Sequence, residues 1–223
     1  MIRRFALKTA LLLALLAAPA GVAADDPVEL EELKIYFELN ETDGDAEVVM
    51  FAKASEGMDR LYVFDPSGER RVYLRSTGKD DIGQGEILVE SAEPSVAAVK
   101  KAFPAGPYLF VARTVSGQHV SGRVRLSHRL LPAPSFTPAD EEDVDPDHAV
   151  VSWTPVPGAA GYQVEIEQDD LGDTFTVTVG PDVSSLEIPK GFLRPGTEYE
   201  IGVATLSPSG NVAVAESSFT TAD

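Results

Sequence analysis

Apolar and polar residues alternate along residues 33–127 in short runs, cut by turn residues roughly every 8 to 12 positions. A period of two predicts β-strands with one buried face. The runs LKIYFEL, AEVVMFA, DRLYVF, RRVYLRS, GEILVE, PYLFVARTV and HVSGRVRLS are the predicted strands, and their spacing suits an all-β sandwich rather than βαβ units. In NETDGDAE, residues 40–47, Asp43-Gly44 predicts a hairpin turn because this dipeptide readily takes positive φ. The expected register pairs Leu39 with Val48 and Phe37 with Met50, which puts Ile35, Phe37, Leu39, Val48, Met50 and Ala52 on one buried face. Asp65-Pro66-Ser67-Gly68 predicts a type I turn, and the two Ser-Gly pairs of RTVSGQHVSGR predict a turn and a bulge. One stretch departs from the period: SAEPSVAAVKKAF places Val96, Val99 and Phe103 at helical spacing between Pro94 and Pro104, so one short packing helix is expected.

From LPAPSFTPADEEDVDPD onward prolines and acids dominate, which sets a boundary near Leu131 and Pro132. Two domains are expected, 25–131 and 132–223, each near the ~100 residues of a small sandwich. In the second, Tyr162, Val164 and Ile166 alternate with polar residues, as do Tyr199, Ile201 and Val203 with Glu200, Gly202 and Ala204. The stretches HAVVSWTPVPGAAGYQVEIEQ and LRPGTEYEIGVATLSPSGN resemble the fibronectin type III family. Trp153 stands at its core tryptophan, and Leu193, Pro195, Gly196 and Tyr199 match its L-x-P-G-T-x-Y corner. The resemblance implies an immunoglobulin-like sandwich of seven strands; since the family is a scaffold with many uses, it implies no activity. The loop that carries Arg-Gly-Asp in integrin-binding members reads Ser207-Pro208-Ser209-Gly210-Asn211 here. The mature chain as a whole is similar to bacterial exported proteins with a carboxy-terminal type III domain.

Export is read from the first 24 residues: Arg3, Arg4 and Lys8, an apolar run, then Val22 and Ala24 spaced as in a signal-peptidase site. The chain is expected in the periplasm or outside the cell, with no membrane insertion after cleavage. Removal of the leader lowers Lys+Arg to 18 − 3 = 15 against 36 acids, a net charge of −21. That charge disfavours nucleic acid and anionic lipid as partners. The absence of cysteine excludes disulfides, thiol nucleophiles and thiolate metal sites.

No residue set of a catalytic, cofactor-binding or metal-binding kind emerges. With Gly44 at position 6 of an EF-hand loop, Leu39 and Met50 would fill positions 1 and 12, where oxygen ligands are needed. The run ADEEDVDPDH, with Asp140, Glu141, Glu142, Asp143, Asp145 and Asp147, reads as a solvated loop. His119, His128 and His148 have no zinc or triad spacing, and the first two are expected at exposed strand positions. Trp153 is assigned to the core, which leaves Tyr36, Tyr73 and Tyr108 as candidate sugar platforms in strands where packing is the commoner role. The expected function is a non-catalytic exported interaction module whose partner is a protein or a cell-surface polymer. It would meet protein partners at strand edges or the loops PVPGAAG and SPSGN. A calcium-stabilised carbohydrate- or cell-surface-binding module is the alternative, and an unrecognised hydrolase, with raised-pKa carboxylates in a junction cleft, a third.

Overall fold

The computed structural model describes residues 29–77, 82–138, 143–168 and 172–223. The leader read over residues 1–24 and the acids Asp140, Glu141 and Glu142 lie outside them. Among the described residues the architecture is all-β with one helix, α1 (Val96–Ala102), as the alternation predicts.

The first sandwich is organised by a single long strand. Strands β1 (Leu30–Asn40) and β2 (Asp45–Phe64) form a hairpin, followed by β3 (Arg70–Arg75), β4 (Gln84–Glu90), β5 (Gly106–Thr114) and β6 (His119–Leu126). AEVVMFA and DRLYVF, read as two strands, are one strand of 20 residues. Its first half pairs with β1 and β4 and its second half with β3 and β5, so β2 turns the corner between the two layers. Register shifts between Lys53 and Met58 and between Met58 and Arg60 mark the bend. Gly57 sits inside it, where an added Cβ would lie 2.0 Å from the Ile82 carbonyl oxygen. The layers close on Phe37, Met58, Tyr108, Phe110 and Leu126, with Val99 of α1 sealing one side.

The hairpin corrects the expected register. Asn40 pairs with Asp45, Phe37 with Val48 and Ile35 with Met50, two residues away from the sequence reading. A slip of two keeps every side chain on its face, so hydrophobicity could not choose between the registers. Asn40 chooses: its Oδ1 accepts the N–H groups of Thr42 (3.0 Å) and Asp43 (3.2 Å), which fixes a four-residue loop. Gly44 serves that loop with φ of 74°. A second correction concerns Gly122, which lies in unbroken β5–β6 pairing and not in a bulge. Leu33 Cδ1 stands 2.4 Å from where its Cβ would be, so the glycine makes room for β1.

Among the described residues, the second sandwich has the seven strands that the type III resemblance implies and one further two-residue strand, β8 (Asp143–Val144). Strands β7 (Phe136–Thr137), β9 (Val150–Trp153) and β12 (Ser185–Glu187) form one sheet in the order β12-β9-β7. The other runs β11-β10-β13-β14, from β10 (Gly161–Gln168), β11 (Asp173–Val179), β13 (Glu198–Leu206) and β14 (Val212–Thr221), with a two-residue β8 (Asp143–Val144) beside the end of β14. Trp153 is in the core, its ring tilted against Tyr162 at 5.5 Å between centroids. The Tyr199 hydroxyl accepts the Arg194 N–H at 2.9 Å, closing the corner. Tyr199→Phe is expected to cost about 1 kcal/mol, the usual net value of a hydrogen bond, read as a lower urea midpoint at unchanged slope.

Candidate functional site

The feature that sets this chain apart from two beads on a linker is the joint between the sandwiches. Strand β14 pairs in parallel with β1, at Glu38–Val212, Leu39–Ala213 and Asn40–Val214, so that one sheet runs β11-β10-β13-β14-β1-β2-β5-β6 through both halves. The hairpin tip seats on β14. Glu41 N–H donates to the Val214 carbonyl (2.9 Å), the Thr42 hydroxyl accepts the Glu216 N–H (2.8 Å), and Asn40 Nδ2 donates to Glu216 Oε2 (2.9 Å). A small core of Ala204, Val212 and Val214, with Tyr36 and Leu206, fills the corner.

Asn211 locks the other side. It is 2 % exposed; its Oδ1 accepts the Phe37 N–H (3.0 Å), and its Nδ2 donates to the carbonyls of Ser127 and Arg129, both at 2.9 Å. One amide therefore ties β14 to β1 and to the end of the segment after β6. The SPSGN loop, read from sequence as a surface for partners, is spent at this end on the first sandwich.

Carboxylates crowd one face of the shared sheet. Glu38 lies directly opposite Glu47, and Glu90 is opposite Val49 on the next strand, with Glu165 and Glu216 approaching from the second half. Burial, and then Glu47, Glu90, Glu165 and Glu216, push Glu38 up to about 8. Burial followed by Glu90, Glu93 and Asp45 raises Glu47 to about 7. For Glu216, burial together with Asp43, Glu200 and Asp45 outweighs the Asn40 hydrogen bond and leads to about 7. A carboxyl that holds its proton better folded than unfolded contributes stability below its unfolded pKa, and that contribution is lost as pH rises through the folded value. Thermal stability is therefore expected to fall between about pH 5 and pH 8. Glu47→Gln should flatten that slope and raise stability at pH 8 by about 0.5 kcal/mol, the scale of a like-charged cross-strand pair; an unchanged slope in melts across this range would exclude the idea.

The other residues singled out in the sequence are scattered. Asp145 accepts from the His148 ring (2.9 Å) and from the Asp147 N–H (2.9 Å) in an exposed turn. His119 opens β6 at an exposed position. His128 is not exposed as expected: its Nε2 donates to the Phe103 carbonyl at 2.8 Å, and its ring packs on Phe37. Tyr108 is fully buried with its hydroxyl on the Pro104 carbonyl, Tyr36 belongs to the joint, and Tyr73 alone of the three is well exposed, at 45 %. Among the described residues no three His, Asp or Glu side chains form a group that could hold a metal ion. No described helix is long and apolar enough to cross a membrane.

No family model matches the chain. Several solved structures are similar to it. A two-domain fibronectin type III segment of chicken tenascin is 16 % identical over 86 % of this chain and 98 % of its own, with a TM-score of 0.36. The chicken CNTN1 FN1–FN3 domains are 17 % identical over 87 % of this chain and 64 % of theirs, with a TM-score of 0.38. A Fn3-like protein from Clostridium thermocellum is 22 % identical over 41 % of this chain and 96 % of its own, with a TM-score of 0.30. The seven-strand order and the Tyr199 corner identify the second half as a type III-like, immunoglobulin-like sandwich by their own geometry.

Proposed function

We propose that the protein is a non-catalytic, exported interaction module that presents its two sandwiches to protein partners as one rigid unit. The observation that carries this reading is the joint: the parallel β1–β14 pairing and the Asn211 lock fix the relative placement of surfaces on both halves. A module that works by contact gains from such fixing, because ordering a flexible pair on binding would cost affinity. Glu38 and Glu216 lie at this joint, where Glu216 is engaged by Asn40, and burial followed by cross-strand crowding accounts for their raised values, which supports the non-catalytic reading. Strand edges remain open to partners, β11 at the end of the shared sheet first among them. Photo-cross-linking in the native envelope from Thr174 or Thr176, on that edge, tests the reading. Adducts with a defined protein are expected at these positions, and weaker ones when Asn211 is replaced; adducts equally strong from any exposed control position would refute it.

A further inference from the structure

The charge of this chain is not spread evenly. Beyond residue 131 Lys190 and Arg194 are the only lysine and arginine, whereas arginines gather on one outer face of the first sandwich. That face belongs to the layer β3-β2-β5-β6, and the pairing registers show what it carries. Arg75 lies opposite Arg60, and Arg60 opposite Arg113. Next in the row, Arg113 is opposite His119, while Leu109 is opposite Arg123 and Pro107 opposite Arg125 on the neighbouring strand. Between these cations run rings. Tyr62 and Tyr73 stack at 4.8 Å, Phe64 follows at 6.4 Å from Tyr62, and the Arg70 guanidinium stands 5.5 Å from the Tyr73 ring centre. Among the described residues, Asp59 brings an acid to this face, and Arg113 holds it through Nε at 3.0 Å. Arg75, Arg123 and Arg125 are exposed and make no ion pair with any described residue.

We propose that this face binds a carboxylate-bearing polysaccharide, with Arg75, Arg123 and Arg125 gripping the carboxylates and the Tyr62–Tyr73 pair contacting the sugar rings. Three features select that partner. Its rings and guanidinium groups stand out from the surface of the sheet, whereas a strand-forming peptide is read through main-chain bonds in the plane of the sheet at an edge. Its cations are arginines with no lysine among them, and the planar guanidinium fork fits a carboxylate with two bonds. Its size is small: three interstrand spacings of ~4.8 Å by a rise of ~3.4 Å per residue from Pro107 to Arg113 make it about 14 by 20 Å, roughly 300 Å² against the ~800 Å² per partner of a standard protein interface but enough for a few units of a linear chain.

Two further points bear on the choice. A polysaccharide with spaced carboxylates is repelled less by the net charge of −21 expected after leader removal than duplex DNA, which carries a charge every ~1.7 Å. Arg60 and Arg75 also line a cleft of about 400 Å³ where β3 and β4 part, together with Asp59, which is held by Arg113, and Glu86, which is paired with Lys53, and with Leu74 and Leu88 exposed beside them. This surface is independent of the β11 edge proposed for protein partners, so either reading can fail alone.

Isothermal titration of the full chain with oligogalacturonate tests the proposal, against a neutral maltooligosaccharide and single-stranded oligothymidylate of the same length. Oligogalacturonate is expected to bind at least about tenfold more tightly than either control, and binding should weaken with salt. Arg123→Glu with Arg125→Glu should weaken it by a further factor of about ten or more at unchanged melting temperature. If that pair disturbs folding, Arg75→Glu on the opposite edge strand reads the same face. Tyr73→Ala should weaken binding about fivefold while leaving every charge in place, and Lys190→Glu with Arg194→Glu should leave it unchanged. Absence of binding, equal or tighter binding of oligothymidylate, or indifference to Tyr73→Ala would each overturn the proposal, the last because bare charge attraction would then suffice.

Discussion

Replacing Asn211 with alanine is expected to uncouple the two sandwiches. The substitution removes an acceptor from the buried Phe37 N–H and a donor from the Ser127 and Arg129 carbonyls, all three bonds between 2.9 and 3.0 Å. A buried group left without its partner costs about 1–3 kcal/mol, so the three together should cost the joint about 3 kcal/mol after water reaches some of them. The loss falls on the β1–β14 junction while the two main cores, around Phe110 and around Ile201, keep their contacts. Calorimetry should therefore resolve the melt into two transitions where one is expected for the parent, and small-angle scattering should show a broader distribution of dimensions than the parent's. Asn211→Asp should be no better: it keeps the acceptor for Phe37 but turns a donor into an anion facing two carbonyl oxygens. A single transition at the parent's temperature with unchanged scattering would mean that β-pairing alone holds the halves together.

The joint also shows where sequence reading ends. Alternation identified the strands, and the type III stretches identified Trp153 and the Tyr199 corner, because each signal is local and repeats with the period of the structure. Asn211 gave no such signal. Its partners Phe37, Ser127 and Arg129 are more than 80 positions away, and the Ser-Gly-Asn turn that contains it looks like any surface loop. The hairpin tip NETDGDAE was legible as a turn, yet its use as the seat for β14 depends on Glu216, 174 positions from Thr42. The arginine face was hidden for a related reason. Net charge is a sum over the chain, and only cross-strand register brings Arg60, Arg75 and Arg113 into one row. The continuous β2 was missed because Ala54 to Gly57 interrupts the apolar period at the bend, where a strand turning between layers has no single buried face.

The largest local loss is expected at Asp65, in the turn that leads from β2 to β3. Its side chain is buried and accepts on both oxygens: Oδ1 from the Ser67 N–H (2.8 Å), the Ser67 hydroxyl (2.6 Å) and the Glu69 N–H (3.0 Å), Oδ2 from Arg71 Nε (3.0 Å) and Nη2 (2.7 Å). In Asp65→Asn an amide N–H would face the Arg71 donors, leaving a guanidinium with no anion at Oδ2; a broken buried pair of this kind costs about 3 kcal/mol. Burial alone would raise the Asp65 pKa, but the bonds from Ser67, Arg71 and Glu69 outweigh it and hold the carboxyl at about 2. With the folded value below the unfolded one, the stabilisation is complete above about pH 4 and is lost as pH falls through about 2. Parent and Asp65→Asn should thus differ most in denaturant midpoint at pH 7 and converge toward pH 2, and a gap constant over that range would assign the loss to packing instead. The same turn sets the Phe64–Arg70 pairing, from which Tyr73 follows on its strand. Oligogalacturonate binding should therefore weaken in Asp65→Asn at neutral pH even where the variant is still folded, since the turn keeps the arginines and rings of β3 in register with those of β2.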